Sequence, residues 1–391
     1  MDAKIWEGVR FLLDEYAAVT VEDKVLVLYS SDSAEPAAWV SAALELRSID
    51  VRRVWMNPLQ DEGFSERLEA SMPSPEEFAG KIVVLTFERD TLSHNEVIQR
   101  HLKPFGKERR TIFRAINASA ELFSKALRVT PAVLSALNTA VLERCLHAKK
   151  LRIKSPGGTD LRISLDNEKF RWVSNRGSGR QGGTVVLPAG EVATFPATVD
   201  GVLVADFAFN VNTLTERDAR LHDFPVTVWV ENRRAVKWAC DDPSIYRFIS
   251  ECFSKECVKN VGELGLGTNP GIDVGIPLNS HINERRQGVH LGFGQHNQDP
   301  GVAGYDCLLH VDLISRGALI WVDEDPVPLD MERLIASANP HPLSPRDEDA
   351  FSPESTEEEM SLNDCCGTLT CDGLNLFSEI DKASERDLVV S

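Results

Sequence analysis

Long apolar runs are missing from this 391-residue chain. No stretch approaches the ~18–20 residues that a membrane span requires, so no membrane association is expected. Repeated CxxC pairs are missing too. The eight cysteines (Cys145, Cys240, Cys252, Cys257, Cys307, Cys365, Cys366 and Cys371) are scattered without zinc-ribbon or disulfide-framework spacing, and read as mostly reduced thiols. Positive charge is scarce: 42 Lys and Arg against 60 Asp and Glu leave a formal charge of −18. Without a concentrated basic surface, nucleic acid is not an expected partner. No GxGxxG or GxxxxGK[ST] follows a strand-like run, which leaves a nucleotide site without support beyond fold rhythm. The start, MDAKIWEGVRFLLDEY, carries scattered acids and no small-residue cleavage site behind an apolar core. It reads as a surface helix, and the cytoplasm as the expected compartment.

What remains is an ordinary globular mix, 42% hydrophobic and 26% charged, long enough for two or three domains. Residues 1–150 alternate strand-like runs (DKVLVLYS, VRRVWM, GKIVVLTF, RTIFRAI) with helix-like ones, among them PAAWVSAALELRS and 131–148. That rhythm predicts an α/β domain with a parallel sheet. From 151 to 336 the texture changes to short strands broken by Gly, Pro and Asn, with a helical insert near 243–257, which predicts a strand-rich α+β second domain. Residues 337–391 are rich in acids, Pro and Ser and poor in apolar residues apart from CCGTLTCDGLNLF, and read as an acidic flexible tail dispensable for the fold.

The chemistry gathers in the second region. On a strand side chains alternate, so in CLLHVDLI His310 and Asp312 share one face while Leu309, Val311 and Leu313 share the other. In GVHLGFG, His290 and Gly292 share a face, and the glycine leaves room beside the imidazole. Glu191 (VVLPAGEVATFP) and Glu263 (VGELGLGTNPG) read as acids in apolar loops, where an ionised carboxylate needs a partner or a metal. Together the five side chains offer ligands for one or two divalent cations. Arg176 and Arg180 in SNRGSGRQGG suit a clamp for a substrate carboxylate, or a solvated hairpin. His296 reads as an exposed residue or an outer acid/base group, and Cys307 as an inert core thiol. Trp172, Trp229, Trp238 and Trp321 read as core.

In order, LPxGEVxTxP, GELGxGxNP, HLGFG and HVD resemble the aminopeptidase T family of metallopeptidases over roughly residues 20–335, as do GGTDLRISL and DKVLVLYSSDSAEPAAWVSAALEL. The resemblance implies metal ligands at Glu191, Glu263, His290, His310 and Asp312, a Zn, Co or Mn cofactor, hydrolysis of a short peptide or peptide-like amide, and a homodimer. Glu263 would bridge the metals or steer a proton. Peptidase members usually carry a tyrosine seven positions after the motif histidine, thought to assist at the tetrahedral intermediate; Asn297 stands there. The wider superfamily includes 2,5-dihydroxypyridine 5,6-dioxygenase, which implies an alternative: one Fe(II) held by His290, His310 and Asp312, acting on a small aromatic molecule. A third alternative is a non-catalytic protein that holds a peptide in the same cleft.

Overall fold

The computed structural model describes residues 2–58, 60–88, 93–179, 182–213 and 215–343. After α1 (Ala3–Phe11) the chain alternates β1 (Lys24–Tyr29), α2 (Ala34–Leu46), β2 (Asp50–Trp55), α3 (Phe64–Ser71), β3 (Ile82–Glu88), α4 (Asn95–Leu102) and β4 (Arg110–Ile116), then α5 (Ala120–Ser124) and α6 (Pro131–Cys145). The continuous apolar strands are buried on both faces, as a helix-covered parallel sheet demands. Val25, Val27, Val83, Leu85 and Phe113 face one core; Leu26, Leu28, Val84 and Ile112 face another, against Phe64 and Leu68 of α3 and Ile98 and Leu102 of α4.

The second region contains β5 (Lys150–Lys154), β6 (Asp160–Ser164), β7 (Trp172–Asn175), β8 (Thr184–Leu187), β9 (Glu191–Thr194), β10 (Thr198–Ala205), β11 (Ala208–Val211), β12 (Val226–Glu231), β13 (Arg234–Ala239), α7 (Pro243–Ser254), β14 (Val261–Gly267), α8 (His281–Arg285), β15 (Gly288–Gly294), α9 (Pro300–Ala303), β16 (His310–Ser315), β17 (Leu319–Val322) and β18 (Leu329–Asp330). Two antiparallel sheets, β13-β12-β10-β6-β5-β17-β18 and β11-β16-β15-β14-β9-β7, enclose a shared core that includes Leu161, Leu203 and Val228 from the first and Leu264, Leu291 and Val311 from the second.

Several expectations need correcting. The boundary at 150 is not clean: β8 pairs parallel to β4 and completes the five-stranded order β2-β1-β3-β4-β8, and Ile272, Ile276 and Ile282 pack into the first region's core. Residues 337–343 stay on the body, with Ser337 N–H donating to the Ala136 carbonyl and the His341 imidazole 3.0 Å from Ser174 Oγ. The rest of the expected tail lies outside the described residues. Cys307 is not a free thiol but is disulfide-bonded to Cys257, fifty positions away, an approach no local pattern encodes. His296 is buried, with Nε2 2.9 Å from the Tyr305 carbonyl oxygen. Trp172 is buried, whereas Trp229, Trp238 and Trp321 are half-buried.

Candidate metal centre

Glu191 and Glu263 lie on strands β9 and β14, not in loops. Both strands are short or rich in glycine, which hides them from propensity. In the six-stranded sheet each of the five candidate ligands stands opposite a glycine across the ladder: Glu191 opposite Gly267, His290 opposite Gly265, Glu263 and Asp312 opposite Gly292, and His310 opposite Gly294. Cross-strand partners share a face, so one side of the sheet is a field of ligands and glycines. The other side, with Leu264, Leu266, Leu291, Phe293, Val311 and Leu313, is the sandwich core. A Cβ at Gly265 would fall on His290 Nε2, and one at Gly292 would meet His310 Cε1 at 2.7 Å, Glu263 Cβ at 2.9 Å and Asp312 Oδ1 at 3.0 Å. The glycines are therefore the space into which the ligands fold.

The five side chains converge and are all buried. His290 Nε2 lies 3.1 Å from Glu191 Oε1, 3.9 Å from Glu263 Oε1 and 4.0 Å from Asp312 Oδ1. His310 Nε2 lies 2.8 Å from Asp312 Oδ1 and 3.7 Å from Glu263 Oε2. With metal–ligand distances of ~2.0–2.2 Å, two donors on one cation are at most about 4.4 Å apart, and all these separations fall inside that limit. Glu191, Glu263 and His290 by themselves form a compact donor set that could hold a metal ion.

Two further observations fit a cation. His310 Nδ1 lies 2.9 Å from the Gln295 carbonyl oxygen, which can only accept, so Nδ1 carries the hydrogen and Nε2 of the neutral ring turns a lone pair on the Asp312 carboxylate. Two acceptors facing each other need a proton or a metal between them. Glu191 Oε1 is buried without a hydrogen-bond partner although His290 Nε2 is close. At 3.1 Å the two atoms are close enough to serve one cation.

Around the ligands sits a set of residues that the sequence did not single out. Glu284 and Arg285 end α8, which packs on β11, β14, β15 and β16. Arg285 Nη1 pairs with Glu191 Oε2 and lies 2.7 Å from Glu284 Oε1. Asn210 Nδ2 donates to Glu284 Oε2 at 2.7 Å and to Asp312 Oδ2 at 3.2 Å. Asn138 of α6 donates to the Glu191 carbonyl at 3.0 Å and accepts from Thr268 Oγ1 at 2.5 Å, tying β9 to the end of β14. The usable signal was charge: three ionisable residues in HINER beside the GVHLG strand, too short a helix for a solvated charged face.

Four carboxylates, Glu191, Glu263, Glu284 and Asp312, are buried in the cluster, and Arg285 pairs with Glu191 and Glu284. Without metal the field sorts their protons. Burial, with the Glu191 charge beside it, pushes Glu263 up to about 7. Burial lifts Glu284 well above the carboxylate range despite Arg285. Against burial, Arg285 and His290 hold Glu191 below its ordinary value, and His310 holds Asp312 far below its own. Also against burial, the Asp312 carboxylate raises His310 to about 10. His281, buried and facing Arg285, drops to about 3 and is neutral.

Asn297 follows β15 in the segment whose Gln295 carbonyl orients His310. Its Oδ1 accepts from Gln298 Nε2 at 2.6 Å, its carbonyl accepts from Arg171 at 3.2 Å, and its buried Nδ2 has no hydrogen-bond partner. Arg176 Nη1 donates to Ser135 Oγ at 3.1 Å on α6. Arg180 lies outside the described residues.

A parallel α/β layer joined to an antiparallel sandwich, with a buried acid and histidine cluster on one glycine-lined sheet face, defines the class of protein. No protein-family model matches the sequence, and no curated protein does. The fold is that of two solved structures. One is 2,5-dihydroxypyridine dioxygenase from Pseudomonas putida KT2440, at TM-score 0.58 and 16% identity, covering 87% of this chain and 99% of that one. The other is wild-type AmpT from Thermus thermophilus, at TM-score 0.51 and 17% identity, covering 85% of this chain and 99% of that one. Among the described residues no helix is long and apolar enough to cross a membrane.

Proposed function

We propose that the protein is a metal-dependent hydrolase that cleaves a short peptide or peptide-like amide, with two divalent cations (Zn, Co or Mn) held by Glu191, Glu263, His290, His310 and Asp312. The observation that carries this reading is the placement of Glu263. Its Oε1 faces His290, beside Glu191, and its Oε2 faces His310, beside Asp312. One carboxylate between two half-sites is the arrangement that suits a bridge between two ions. Charge agrees with metal: with Glu284 protonated, ionised Glu191, Glu263 and Asp312 against Arg285 leave the cluster at about −2, a deficit that divalent metal cancels. Bound cations would polarise a scissile carbonyl and acidify a water.

The chain's own residues do the rest. Gln295 fixes the His310 tautomer, Asn210 and Glu284 hold Asp312, and Arg285 holds Glu191. Glu263, set between the two half-sites, is the carboxylate on which the two-ion arrangement depends. Arg176 and Arg180 remain candidates for a substrate carboxylate, and assembly as a cytoplasmic homodimer belongs to the same proposal. The test is amine release from di- and tripeptides by protein reconstituted with Zn, Co or Mn, lost in Glu263→Gln.

One observation favours a second reading. Asp312 Oδ1 is within 4.0 Å of both His290 Nε2 and His310 Nε2, so these three alone could serve one ferrous ion. Oxygen consumption with an aromatic substrate, sustained in Glu191→Gln, would select it.

A further inference from the structure

Arg285 is a permanent positive charge placed where the proposed cations would bring their own. Its side chain is 1% exposed, and it pairs with Glu191 and Glu284, while Nε donates to the Pro188 carbonyl on the link between β8 and β9 at 3.2 Å. Arginine stays charged even when buried, so this contribution does not switch off.

We infer that Arg285 is a resident counter-ion: it keeps the metal-free cluster folded and, by occupying one oxygen of Glu191 and repelling a second cation, weakens metal binding. The inference rests on the reading of the cluster as a metal site. Its physical basis is that buried carboxylates are costly unless paired. When metal leaves, Arg285 still neutralises one ionised carboxylate, and its contacts with Glu191, Glu284 and Pro188 keep α8 attached to β9. When metal arrives, the same charge opposes it at short range in a poorly screened interior, and Glu191 keeps only Oε1 to offer. A neutral residue at this position therefore acts in opposite directions on the two states. A residue that merely oriented Glu191 as a ligand would act in one.

The test compares wild type, Arg285→Met and Arg285→Lys by thermal melting in EDTA and by Zn2+ and Mn2+ affinity against a competing chelator. Arg285→Met is expected to lower the melting temperature of the EDTA-treated protein while tightening metal binding at least tenfold. Arg285→Lys, which keeps the charge, stays near wild type in both. Weaker metal binding in Arg285→Met, or affinity within twofold of wild type, overturns the inference. If Arg285→Met is recovered folded only when expressed with added Zn2+ or Mn2+, that supports it. If it fails to fold even then while Arg285→Lys folds, the charge is needed regardless of metal and the inference fails. A wild-type protein that binds neither cation defeats the metal-site reading itself.

Discussion

Gly292→Ala places one methyl group among three ligands. The added Cβ would stand 2.7 Å from His310 Cε1, 2.9 Å from Glu263 Cβ and 3.0 Å from Asp312 Oδ1. Ordinary contact begins near 3.4 Å, so each neighbour must retreat by about 0.4–0.7 Å. None is the free end of a flexible surface chain: His310 is held by Gln295, Asp312 by Asn210, and all are buried. Overpacking of this kind costs about 1–3 kcal/mol, and displacements of ~0.5 Å are enough to spoil a preorganised site. The expected outcome is a melting temperature lower by several degrees and a metal affinity at least tenfold weaker, read by calorimetry and chelator competition. Gly275→Ala is the control, because its nearest neighbour is already at 3.5 Å, and it should be close to neutral. If Gly292→Ala keeps wild-type metal content and affinity, the glycines are not the space that the ligands need.

Other outcomes follow from the same geometry. In EDTA, His310 titrates near 10 and Glu263 near 7, both above their unfolded values, so the stability they contribute is present at acid pH and lost as pH rises from about 5 through 10. The melting temperature of metal-free protein should fall between pH 6 and 9, and metal should abolish the fall; a flat profile in EDTA would contradict the charge assignment. Because metal must displace those protons, its apparent affinity should rise with pH over the same range. Truncation after Leu343 should leave melting unchanged, whereas truncation at 336 removes the Ser337 and His341 contacts and should lower it; equal melting of both would show those contacts to be idle. Cys257→Ser opens a crosslink spanning 50 residues, for which chain entropy gives roughly 4 kcal/mol, and should lower melting under non-reducing conditions only.

Much of the centre is legible along the chain because strands alternate. His310 and Asp312 stand two apart in an apolar strand, and His290 and Gly292 repeat the device. Pairing of the strands is not local information, which is why Glu191 and Glu263 looked like loop residues: glycine weakens strand propensity, and it is there to face a ligand on the next strand. The parallel layer was readable from its β-α rhythm except for β8, whose four residues return to it from across the chain. Arg285 was not singled out along the chain, because only the fold buries it against Glu191.

The most direct measurement is the metal content of full-length protein purified without chelator, counted per chain and repeated on Glu263→Gln. Two divalent cations per wild-type chain, with the count or the affinity of at least one lost in the variant, are expected. A single ferrous ion unaffected by Glu263→Gln, or no metal at all, would contradict the two-ion site.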